Sequence, residues 1–171
     1  MRLRRRGSPP ADVLGLLDRD ERVVSWAEVE DGAALVATPR GLWWPAVDGY
    51  RRIGWQFVDK AIWRDSVLSV IEADVVDDLL LVDRPAIHAR LSTPRDLPPH
   101  VRRRVEGNVV RSELVEFVGG AARLVGRRVP GRDGLVWWAR LADGTPDTPA
   151  VRDSVTARLS ILRDAAVNAA D

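Results

Sequence analysis

The sequence predicts an α+β protein: a small β-barrel or β-sandwich with a helix, followed by a three-stranded meander and a C-terminal helix. Three observations carry this. Between residues 22 and 93, short runs rich in β-branched and aromatic residues recur with turn residues every 6–12 positions. Near residue 97 the apolar period changes from two to about four. After residue 111 the two-residue alternation returns and then gives way to a long helical stripe.

The elements follow in order. Residues 1–10 are a basic tail ending in Pro9 and Pro10, expected to be mobile because little in it can pack. In "PPADVLGLLDRDE" Val13, Leu14 and Leu17 share one face of a short helix. "RVVSWAEVE" alternates as a strand, with Val23, Ser25, Ala27 and Val29 as the more apolar set. Asp31 and Gly32 form a hairpin signal, "AALVAT" is the return strand, and "PRG" turns the chain into "LWWP". After a turn in "AVDGY", the stretch "RRIGWQFVDKAIW" (residues 51–63) reads as strand. The step at Gly54 and Trp55 permits a bend from one sheet to the other. Strict alternation puts Trp55 and Trp63 on one face, and large aromatics mostly supply buried area, so Trp63 is expected to be a core or end-plug residue. "DSVLSVIEAD", "LLLVDRP" and "IHARLS" complete the first group of strands.

In "DLPPHVRRRVEGNVV", Leu97, Val101, Val105 and Val109 are spaced as a helical stripe. Pro98 and Pro99 suit the first turn, where the missing N–H costs nothing, and Gly107 weakens the last. "SELVEFV", "ARLVGRRV" and "LVWWARL" make the meander. In the closing helix Asp147 or Thr148 is the cap, Pro149 lies near the first position, and Val151, Val155, Leu159 and Leu162 form the buried stripe.

Composition bounds the function. A chain of 171 residues with 46% hydrophobic and 30% charged residues is an ordinary globular one with a real core. No apolar run approaches the roughly 18 residues that span a bilayer, and no apolar segment follows the basic start as in a signal peptide, so a cytoplasmic protein is expected. The absence of cysteine excludes disulfides, thiolate metal sites and thiol catalysis. Lys60 is the only lysine among 26 basic residues. That bias suits a GC-rich genome such as those of actinobacteria and is the bland explanation of each arginine cluster. Charge is nonetheless segregated: residues 65–83 hold six acids and no base, whereas residues 95–140 hold ten arginines against five acids.

Thr38, Arg40, Leu42, Ile53, Trp55, Val58, Leu68 and Val70 are spaced as an apolar strand ending in Thr, a basic turn, a short strand, then a basic–apolar–x–Trp–x–x–apolar run leading to a strand of the form L-x-V. With these residues, the run from Ala34 to Val70 resembles bacterial pleckstrin-homology-like domains, including uncharacterised actinobacterial ones. The resemblance implies a PH-like β-barrel with a helix over residues 11–111, the helix that begins near Pro98 plugging one open end. Residues 112–171 fall outside it as a meander and helix, expected to pack on the first part as one compact unit.

Motifs for chemistry are weak. His88 and His100 have no nucleophile-elbow or Ser-x-x-Lys pattern near them, so no catalytic residue is assigned and a non-enzyme is expected. Glu72, Asp74, Asp77 and Asp78 are hard oxygen ligands without EF-hand spacing, and read as a solvated turn. "VGRRVPGRDG" lacks a P-loop ending and precedes a strand, yet Arg127, Arg128 and Arg132 around its glycines suit an anion. No cofactor or metal site is assigned.

The candidate binding surface is Arg127, Arg128, Arg132, Arg102 and Arg103, with Trp44 and Trp138 as the outward members of the pairs Trp43/Trp44 and Trp137/Trp138. The expected role is binding of a protein partner. The alternative is an anionic ligand, nucleic acid or a membrane headgroup, held by the arginines.

Overall fold

Two pairs of positive-φ residues turn the longest strand back on its neighbours. The computed structural model describes residues 7–168. In it β5 (Val58–Arg64) and β6 (Val67–Val76) are joined by Asp65 and Ser66, with φ of 51° and 64°. This two-residue geometry has the twist of the strands it connects. Asp77 and Asp78, also at positive φ, lead β6 into β7 (Leu80–Asp83). Short polar side chains tolerate this region better than bulky ones. β7 and then β8 (Ile87–Thr93) run along the same side of β6, β7 against residues 73–76 and β8 against residues 67–70.

β1 (Ser25–Val29), β2 (Ala34–Ala37), β3 (Gly41–Ala46) and β4 (Gly49–Gly54) form an antiparallel meander that joins β8 through β1. β9 (Val109–Phe117), β10 (Gly120–Arg127) and β11 (Val136–Leu141) form a second one. β11 reaches β7 in a short parallel pairing, Ala139 opposite Leu80. The result is one mostly antiparallel 11-stranded sheet in the order β4-β3-β2-β1-β8-β6-β7-β11-β10-β9, with β5 on the free side of β6.

The barrel expected from the sequence is not closed. Residues 51–63 are not one strand: a 3-10 turn, Trp55–Phe57, separates β4 from β5, which do not pair. The turn carries Trp55 into the core, 3% exposed, with its indole N–H donating to Thr38 O at 2.8 Å. Trp63 pairs with Leu68 of the same core and lies on the core face, but at the sheet edge, where β5 has no neighbour beyond β6. Trp63 is 41% exposed, and its expected core position is corrected accordingly.

Helix α1 (Ala11–Leu14) is a single turn that buries Val13. Helix α2 (Leu97–Glu106) buries Leu97, Pro98 and Val101 against β5, β1 and β2, as its stripe predicts. It stops at Gly107, so Val109 begins β9 and does not extend the stripe. Helix α3 (Pro149–Asn168) lays Val151, Val155 and Leu159 on β11 and β10, and Thr148 Oγ1 accepts from the Val151 amide at its start. The tail arginines Arg2, Arg4, Arg5 and Arg6 lie outside the described residues.

Both faces of the sheet are covered at β3 and β11, which decides the tryptophan pairs. Trp44 lies in the core that α2 closes; Trp43 lies on the other face with Val13, Leu17 and Tyr50. Trp137 lies under α3, where a Cβ on Gly126 would meet its ring at 3.0 Å, so only glycine leaves room for the indole. Trp138 packs with Phe57, Ala73 and Leu81 on the opposite face.

The two meanders are tied by polar groups at the 3-10 turn. Arg127 of β10, 2% exposed, donates to Gln56 O at 2.8 Å and to Asp59 Oδ1 at 2.7 Å. Arg140 donates to the same Asp59 oxygen and to Asp83. Asn108, also buried, donates to Trp55 O at 2.6 Å.

Arg127→Met leaves the Gln56 carbonyl without its donor and Asp59 with Arg140 alone, so it should destabilise by about 2 kcal/mol in urea titration. Trp63→Ala, at a half-exposed position, should cost about 1 kcal/mol or less. A reversed order would contradict this account of what is core.

Candidate functional site

The structure separates the residues that the sequence grouped as one surface. Trp44 and Trp138 are 7% and 5% exposed, because helices or opposed side chains cover both sheet faces; neither is an interface anchor. Arg127 is buried and committed to Asp59, so it is a structural cation and not a ligand-binding one. Arg102 and Arg103, adjacent in sequence, line different clefts because successive helical residues point about 100° apart. Arg128 and Arg132 remain exposed on the β10–β11 loop.

The first cleft lies between β5 and α2 and encloses about 580 Å³. Its walls are Ala61, Ile62, Trp63 and Leu68 on the sheet side, and Pro98, Pro99 and Val105 on the helix side. Ile62 and Trp63 are 45% and 41% exposed, an adjacent apolar pair on a strand that bonds to β6 alone. Lys60 lies at the rim, and Arg102 is held by Glu106 at 2.7 Å. The second cleft, about 470 Å³, lies between the C-terminal turn of α2 and the β10–β11 loop, and collects Arg103, Arg104, Arg128 and Arg132.

The remaining polar residues pair within the fold. Asp18 accepts from Arg52 and Arg40, and these guanidiniums, Arg52 first, hold its carboxyl below the usual carboxylate range. Of the acids singled out as hard ligands, Glu72 faces Arg51, Asp74 faces Arg84, Asp77 faces Arg152 and Asp78 faces Arg163. Among the described residues no group of three His, Cys, Asp or Glu side chains is placed to hold a metal ion. His88 Nδ1 is 2.8 Å from Ser69 Oγ across β6 and β8, an exposed cross-strand pair. No helix among the described residues is long and apolar enough to cross a membrane.

His100, on the first turns of α2, stands edge-on to Trp55 with ring centroids 6.2 Å apart. Its pKa lies below the ordinary 6.5, first because it is partly buried, then because Arg104 and Arg103 repel a second positive charge; Asp96 opposes them.

Comparison with protein-family models, curated proteins and solved structures finds no match to this chain. What fold and clefts together define is an α+β protein with one broad, mostly antiparallel sheet and two solvent-open recesses beside α2.

Sequence reasoning missed the first cleft as a site. Its signal was present in the adjacent Ile62 and Trp63 near the only lysine of the chain, but the sequence reading took Trp63 as fully covered, whereas the sheet edge leaves it 41% exposed.

The folded chain protonates His100 less readily than the unfolded chain does. Its contribution to stability is therefore complete above about pH 6.5 and is lost as pH falls through the depressed folded value. The ring protons should titrate below 6.5 by NMR and move upward in Arg104→Gln, and His100→Gln should flatten the fall in urea stability below about pH 6.5.

Proposed function

We propose that the protein is a non-enzymatic interaction module that captures an extended segment of a protein partner along β5, in the cleft beside α2. The observation that carries this reading is an edge strand with an exposed Ile62–Trp63 pair beside a preformed apolar recess. A free strand edge presents unpaired N–H and C=O groups, a template to which another strand can add. Exposed edges in natural proteins are blunted by charge, above all lysine, and Lys60 has that place here. Ile62 and Trp63 supply what such protection alone does not need: apolar area, in a side chain that frequently anchors interfaces.

The matching segment places an apolar residue in the recess between Trp63, Pro98 and Val105, and an acidic residue opposite Lys60. A PH-like arrangement of the first eight strands with α2 is part of this proposal. It is supported by the seven-strand order β4-β3-β2-β1-β8-β6-β5 and by the helix packed across β5, β1 and β2. The fold admits many ligands, so the function rests on the cleft.

Selection of random peptides on the immobilised protein should enrich sequences with alternating apolar residues and an acid. Trp63→Ala should weaken their binding about 30-fold, corresponding to about 2 kcal/mol for an anchor residue. N-methylation of alternate peptide nitrogens should abolish binding, since strand addition uses main-chain hydrogen bonds. Peptides that bind equally well to Trp63→Ala, or tolerate every N-methylation, would overturn the reading.

A further inference from the structure

The second cleft brings together arginines that meet no carboxylate; among the described residues Arg19, Arg22, Arg111, Arg123 and Arg158 also lack one but lie outside it. Elsewhere Arg40, Arg52, Arg84, Arg127, Arg140 and Arg152 each meet a carboxylate within 3 Å. Among the described residues, Arg103, Arg104, Arg128 and Arg132 have no carboxylate partner, and all four line one recess. Genome composition accounts for the number of arginines in a chain, not for the convergence of unpaired ones from two distant segments.

The recess is also held in shape. Asn108 forms part of its floor and fixes both walls: its carbonyl accepts from the Arg128 amide at 3.4 Å, and its side chain donates to Trp55 O. The Arg132 amide donates to Val129 O at 3.0 Å, which tightens the loop below its tip.

We propose that this cleft binds a compact, soluble phosphorylated molecule carrying two or more phosphate charges. Guanidinium groups recognise phosphate oxygens through paired, charge-assisted N–H donors, and four of them around about 470 Å³ suit vicinal or bridged phosphates. Asp133 is the one acid in the lining, so the recess keeps a positive balance. The alternative of nucleic acid is less well served. Strand binding without a sequence fingerprint relies on aromatic faces, and the only aromatic ring in the cleft, Trp55, is 3% exposed with Arg104 over it at 5.9 Å. At neighbouring His100, burial first and then Arg104 and Arg103 lower the pKa.

The site joins α2 of the first meander to the loop of the second, so a bound anion bridges the two and should raise the melting midpoint. It is independent of the β5 cleft and can succeed or fail without it.

The test is calorimetric titration of the full chain with inorganic pyrophosphate and tripolyphosphate at about 150 mM salt, an ionic strength that screens diffuse surface attraction. Binding tighter than about 100 μM is expected for at least one, with orthophosphate at least tenfold weaker. Arg128→Gln/Arg132→Gln and Arg103→Gln/Arg104→Gln should each weaken it about tenfold or more while keeping the unliganded melting midpoint, and Arg158→Gln should not weaken it. In Arg128→Gln/Arg132→Gln, which leaves the arginines nearest His100 in place, the upward movement of the His100 titration on adding tripolyphosphate should disappear together with binding. The proposal is overturned by no binding below about 1 mM, by binding that survives both double substitutions, or by mixed-sequence DNA or anionic vesicles that bind through these arginines and are not displaced by tripolyphosphate.

Discussion

The relation between the two meanders depends on the buried guanidinium of Arg127. Removing an arginine from water is unfavourable unless its donors are met; here the Gln56 carbonyl and Asp59 meet Nη1 and Nη2 across the seam, while Nε has no partner among the described residues. The 3-10 turn of residues 55–57 presents successive carbonyls to the second meander, Trp55 O to Asn108 and Gln56 O to Arg127, and Asp59 follows on β5. Arg140 brings a second positive charge to the same Asp59 oxygen, so the carboxylate faces two cations. The ladder between β7 and β11 contributes little by itself, since only one parallel pair is formed. The seam therefore has polar groups as its specific part, with apolar packing of Phe57, Ala73 and Trp138 around them.

This constraint governs what is left on the surface. Once α1 and α3 each cover one sheet face and α2 closes the core of the first meander, five of the seven tryptophans are internal, four of them in two adjacent pairs. Burial on both faces lets neighbouring residues of one strand, which point in opposite directions, both be large and apolar. Exposed apolar residues are spread over the surface, Val109, Val110 and Leu114 of β9 among them, and Ile62 and Trp63 at the edge of β5 are the pair that lines a cleft. The same turn that positions the carbonyls for Asn108 and Arg127 frees this edge, because it prevents β5 from pairing with β4. Structure and candidate site thus share one cause.

Sequence patterns made some of this legible and concealed the rest for identifiable reasons. The stripes of α2 and α3 could be read directly, since helical spacing and the prolines in the first turn are local. The hairpin at Asp31 and Gly32 was equally plain, whereas the turns at Asp65/Ser66 and Asp77/Asp78 carry no glycine and were less conspicuous. The arginine cleft was half visible. Arg103, Arg128 and Arg132 were identified from their neighbours in sequence, but Arg127 was grouped with them although its side chain leaves the opposite side of the strand and is buried. Alternation in a strand separates adjacent residues as surely as 100° separates them on a helix.

By itself the sequence determined the α+β class, the order of strands and helices, the absence of cysteine chemistry and the apolar faces of the two long helices, because each follows from composition or from spacing within a short window. Only the tertiary structure decided that the sheet stays open between β4 and β5, that Trp63 is left half exposed while Trp44 and Trp138 are buried, and which arginines are paired. These outcomes depend on groups brought together from distant parts of the chain: Asp59 with Arg127 and Arg140, Trp55 with Asn108, Arg103 with Arg132. Local pattern fixes which side of an element is apolar; what lies opposite that side is a property of the assembled chain.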